Sequence, residues 1–89
     1  MNVTKILKEY IEQVRDVGFH DQSKFDKMRK RGVMLISNLK GENSSYIREF
    51  KNIRFYPSVY PTTQATEHKA WNAGKERLIN LVTTILEEV

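Results

Sequence analysis

Acid–base chemistry at neutral pH would most simply start from a histidine, and this chain has two, His20 and His68. Neither has the neighbours such chemistry needs. His20-Asp21 is a bare pair, with no second histidine or carboxylate at helical spacing to complete a metal-ligand set. His68 stands one helical turn before Trp71, the setting of a partly buried packing histidine. There are no cysteines, which excludes disulfides and thiolate metal sites. The chain also lacks a Gly-rich phosphate loop, a G-x-S-x-G elbow and an H-E-x-x-H pair. The expectation is a protein that is not an enzyme and uses neither cofactor nor metal.

One short pattern points the other way. RDVGFH, Arg15 to His20, has the R-x4-H spacing of the HEPN ribonucleases and resembles them in that spacing and in small, basic, all-α character. In such a site the histidine handles a proton while the arginine meets charge developing on phosphorus. That family holds both residues on one helix, whereas Gly18 breaks the helix inside this pair. Arg15 and His20 are therefore read as structural.

Charge is the stronger signal. The chain carries a net +4, and from Lys24 to Arg54 nine basic residues face three acidic ones. Such an excess favours an acidic partner, nucleic acid above all. Its densest part is KMRKRG, in which Lys27, Lys30 and Arg31 share an outward helix face while Met28 turns to the core. A row of this kind can follow a phosphate backbone with salt-sensitive affinity, or it can be a solvated helix face. Exposed aromatics interleaved as stacking platforms would favour nucleic acid, but Phe25 and Met28 belong to the apolar stripe.

The elements that position these residues follow from periodicity. Val3, Ile6, Leu7, Tyr10, Ile11 and Val14 define a first helix that stops near Gly18. A second begins at SKFD, with Ser23 as cap and Asp26 completing a capping box, and runs to Gly41. A third starts near Asn43 or Ser44, carries Tyr46, Ile47, Phe50 and Ile53, and ends before Pro57. The fourth runs from about Gln64 through Trp71, Leu78, Leu81, Val82 and Ile85. IRFYPSVY has β-formers, but its prolines argue against a ladder. The predicted architecture is an all-α four-helix bundle with one long Pro/aromatic loop before the last helix. Gly32 and Gly74 both fall on apolar stripes, which predicts that helices two and four cross there, with Trp71 over one of them. No apolar run approaches the roughly 20 residues of a membrane span, and MNVTKILKEY has charges where a signal peptide would be apolar. A single cytoplasmic domain over residues 1–89 is expected, either stand-alone or excised from a longer parent.

The long loop, NIRFYPSVYPTTQ, holds both prolines and three of the nine aromatic residues. Phe55 continues the apolar series of helix three and should fold inward. Arg54, Tyr56 and Tyr60 are its candidates for contact, because proline-stiffened aromatics make a low-entropy recognition surface. The loop and its flanks, NSSYIREFKNIRFYPSVYP followed by AWNAGKERLINLVTTILEEV, have a recognisable order. The positions are Ser45, Tyr46, Phe50, Ile53, Phe55, Pro57, Trp71, Gly74, Leu78 and Glu87-Glu88. Over about residues 43–89 this resembles the small helical accessory module of bacterial defence proteins, notably TIR-like, predicted nucleotide-binding ones. The resemblance implies a recognition or assembly module beside an effector domain; the expectation is that this chain is either excised from such a protein or acts with a partner on another chain. The leading expectation is thus a non-enzymatic protein-interaction module of an anti-phage system, binding another chain, an effector or a second copy. The alternative is a basic RNA- or DNA-binding domain.

Overall fold

The computed structural model describes residues 2–19, 21–57 and 63–88, and all regular structure within them is helical. Four helices follow one another, α1 (Val3–Asp16), α2 (Gln22–Lys40), α3 (Ser45–Asn52) and α4 (Gln64–Glu88). Each opens on a side-chain oxygen that accepts an otherwise unpartnered backbone N–H. Asn2 Oδ1 accepts from Lys5 at 3.1 Å, Asp21 Oδ1 from Lys24 at 3.2 Å, Ser44 Oγ from Ile47 at 3.3 Å and Thr63 Oγ1 from Thr66 at 3.1 Å. The second of these corrects the expected Ser23 cap. Asp21 caps as well as serine does, and it starts the helix early enough to place Ser23 inside the first turn. Asp26 closes no capping box and instead accepts from the Gln22 side chain at 3.0 Å. α2 ends at Gly41, whose φ of 93° and ψ of 152° lie in a region essentially reserved for glycine.

Neighbouring helices form a closed ring, α1 against α2, α2 against α3, α3 against α4 and α4 against α1. Successive helices run antiparallel. The ends of α2 and α4 therefore share one pole, where Lys40 Nζ meets Glu88 Oε2 at 2.7 Å. The bundle measures 44 × 24 × 21 Å. Among the described residues no Cα of α2 comes within 8 Å of one in α4, which corrects the expected crossing of these helices. The two glycines serve different approaches. Gly32 faces Tyr10 of α1 and the Phe50 ring of α3, whereas Gly74 is covered by the Arg54 carbonyl and the Phe55 ring as the chain leaves α3.

The core is one cluster drawn from all four helices, with Leu7, Tyr10, Val14, Met28, Ile36, Ile47, Phe50, Leu78, Val82 and Ile85 at its centre. Val17 and Phe55 enter it from the connections, so Phe55 folds inward as its sequence position requires. Tyr10 is the buried polar exception. Its hydroxyl donates to the Met28 carbonyl at 2.8 Å, and burial pushes its phenol pKa up.

Candidate functional site

The surface of α2 is built by two neighbours that differ in charge. Phe25, Met28, Gly32 and Ile36 point to the core, which turns Lys27, Lys30 and Arg31 outward, and all three are exposed. One edge of this face meets α1. Lys24 and Lys27 line an open groove of about 990 Å³ together with Lys5, Lys8, Glu9, Glu12 and Asp16 of α1. Arg31 Nη1 donates to Gln13 of α1 at 3.3 Å on the same side. Carboxylates of α1 therefore share this edge with the basic row, without an ion pair to Lys27 or Arg31 among the described residues.

The other edge meets α3 and has a different character. Arg29 holds its guanidinium carbon 5.7 Å from the Phe25 ring centre, and Lys40 sits 5.5 Å from that of Tyr46. Ser45, Tyr46, Glu49, Asn52 and Ile53 line a groove of about 680 Å³ toward Arg77, Asn80, Leu81 and Thr84 of α4. At about 100° per residue, Arg48 and Lys51 therefore lie on the α2 side of α3. Lys30 is exposed on α2, and Arg54 follows, exposed, after α3 ends.

An aromatic cluster closes the pole opposite Glu88. Around Trp71 stand Phe25 at 5.2 Å, Phe55 at 5.6 Å, Phe19 at 5.9 Å and Tyr56 at 6.0 Å between ring centres. Tyr56 keeps 37 % of its surface exposed while touching Phe25 and Trp71, so it is fixed in place and still reachable. Tyr60, the loop's other candidate, lies outside the described residues, as does His20. His68 is exposed rather than partly buried, and its ring rests 4.0 Å from that of Phe19. Arg15 pairs with Glu12 at 2.6 Å, and α1 ends at Asp16, so position 20 lies beyond the helix that carries Arg15.

Two polar contacts escaped the sequence altogether. Lys75 Nζ reaches from α4 to the carbonyls of Arg15 and Val17 at 2.8 and 2.9 Å, binding the C-terminal end of α1. Partial burial lowers its pKa, and Asp16 opposes that shift. At the other pole Glu88 accepts from Lys40 and from the Tyr46 hydroxyl, joining the ends of α2 and α4 to the start of α3. The hydrogen bond from Lys40 holds the Glu88 carboxyl below its usual range, helped by Tyr46, and the bond to Glu88 raises the Tyr46 phenol. No local pattern announces either contact, because their partners lie some 40 to 60 positions apart.

Among the described residues no group of three or more His, Cys, Asp or Glu side chains could hold a metal ion. No helix among them is long and apolar enough to cross a membrane. Compared with family models, with curated proteins and with solved structures, the chain matches none of them. The described residues form a small helical bundle with open grooves and exposed charged faces.

Proposed function

We propose that the chain is a non-enzymatic protein-interaction module that docks another protein chain through the groove between α1 and α2. One observation carries this reading. The groove combines lysines (Lys5, Lys8, Lys24, Lys27) with carboxylates (Glu9, Glu12, Asp16) over the aliphatic stems of the same side chains. A surface bearing both signs discriminates partners by pattern rather than by net charge. The partner this pattern fits is a second copy of the chain, since a two-fold interface sets each lysine cluster against the other copy's carboxylates.

The resemblance of residues 43–89 to the accessory modules of bacterial defence proteins supports a wider role in assembling an effector, and cytoplasmic residence fits that role. Sedimentation equilibrium of the full chain over rising concentration tests the docking. The expected result is a salt-sensitive monomer–dimer equilibrium, and a monomer at every concentration and salt overturns it.

A further inference from the structure

We infer that the opposite flank of α2, shared with α3, is a binding surface for single-stranded nucleic acid. Four cations lie along it, Arg29 and Lys30 from α2 and Arg48 and Lys51 from α3. Lys30, Arg48 and Lys51 are exposed, and none of the three forms an ion pair with a described residue. Two carboxylates stand on the same helices, and neither is ion-paired to these cations. Asp26 accepts from Gln22, and Glu49 faces the groove toward α4. The α1 side differs in its lining, where Glu9, Glu12 and Asp16 stand among the lysines.

Charge alone would suit any polyanion, and the aromatic end narrows the class. Arg29 lies over Phe25, Phe25 touches Tyr56 with ring centres 6.2 Å apart, and Tyr56 is exposed. The cationic flank therefore runs into an exposed ring held from behind by Phe25 and Trp71. A phosphate track ending in a fixed aromatic face is the combination that binds unpaired bases, which stack on the ring while the backbone follows the cations. A duplex, whose bases are already stacked, has no use for the ring. From Phe25 to Met34 the α2 part of the track is about 14 Å long at 1.5 Å per residue. The four cations of the flank offer partners to about four phosphates.

The test uses the full chain and a fluorescein-labelled 12-nucleotide oligo-dT, with oligo-U and a 12-base-pair duplex for comparison, read by anisotropy. Both single strands should bind more tightly than the duplex. The log–log salt slope should be about −3, from roughly −0.7 for each of four phosphates. Trp71, the single tryptophan, should report the ligand by a change in emission, since Tyr56 lies 6.0 Å from it. Replacing Arg48 and Lys51 together by alanine should halve the slope. Tyr56→Ser should weaken binding by roughly fivefold to a hundredfold while leaving the slope unchanged. Lys24→Glu with Lys27→Glu, on the docking flank, should retain the Tyr56 dependence. Melting curves of each variant separate lost binding from lost folding. No binding by any strand at low salt, tighter binding of the duplex, or folded variants that bind like the parent each overturn the inference. Failure here leaves the α1–α2 docking untouched, because that is read by sedimentation without nucleic acid.

Discussion

Replacing Gly32 by alanine should destabilise the bundle, although alanine is the better helix former by about 1 kcal/mol at an unobstructed position. The added methyl would stand 2.5 and 2.6 Å from Cζ and Cε2 of Phe50, and closer still to the Tyr10 hydroxyl. Carbon atoms in ordinary contact sit about 3.5–4.0 Å apart, so a ring must retreat by about 1 Å. Neither ring has room, with Phe50 at 2 % exposure and Tyr10 at 1 %. Tyr10 is further tied to the Met28 carbonyl at 2.8 Å, and releasing that bond costs about 1 kcal/mol. Overpacking by a methyl group costs about 1–3 kcal/mol, so the net loss after the propensity gain is about 1–3 kcal/mol. In a domain this small each 1 kcal/mol moves Tm by about 4–8 °C, so far-UV circular dichroism should register a drop of at least about 4 °C. Gly18→Ala is the control, because an added Cβ there meets nothing within 4 Å. A Gly32→Ala variant that melts at or above the parent would refute the close approach of α1, α2 and α3 at this level.

Gly74→Ala should cost about 1–3 kcal/mol or more, because its Cβ would lie 2.7 Å from the Arg54 carbonyl oxygen, backbone that cannot swing aside; a neutral melt would mean that the loop does not cover Gly74. Lys75→Met should lower stability by about 1 kcal/mol by freeing the carbonyls of Arg15 and Val17, with the loss showing as faster amide exchange at the end of α1. The contacts of Glu88 carry a pH dependence whose sign follows from its depressed pKa. Their contribution is present above the unfolded carboxyl value near 4.5 and is lost as pH falls through the lower folded value. Acid melts of Glu88→Gln should therefore vary less with pH below about 4.5 than those of the parent, and parallel curves would remove the contacts from the account. Tyr46 adds the complementary alkaline limb. Its raised phenol contributes below its unfolded value near 10.0 and loses that contribution as pH rises through the folded value, which Tyr46→Phe should abolish.

The helices were legible because each carries an apolar stripe at spacings of three and four, and Gly41 is unambiguous as a stop, while Ser44 and Asn43 both offered a cap for the third helix. Asp21 and Ser23 stand two residues apart and cap equally well, so propensity could not choose between them. Pairing was not legible. A stripe shows which face is buried but not against what, and so Gly32 and Gly74 pointed to a shared crossing when each receives a different aromatic ring. The same limit applies to the candidate site. KMRKRG announces its charge, but only the identity of the flanking helices gives it one edge lined also by Glu9, Glu12 and Asp16 and another toward α3, which carries Arg48 and Lys51. Tyr56 was singled out by its prolines, while its link to Arg29 through Phe25 depends on the packing of α2 against the chain after α3.

Charge-swapped variants mixed together test the docking groove most directly. Lys24→Glu with Lys27→Glu makes the groove predominantly acidic on one protein, and Glu9→Lys with Glu12→Lys makes it basic on another. Each should sediment as a monomer alone, since like charges then face each other across the two-fold interface. Mixed in equal amounts, the two should sediment as a 1:1 dimer that dissociates as salt rises. Self-association of either variant at the parent's strength, or a mixture that sediments as the sum of two monomers, would contradict docking through the α1–α2 groove.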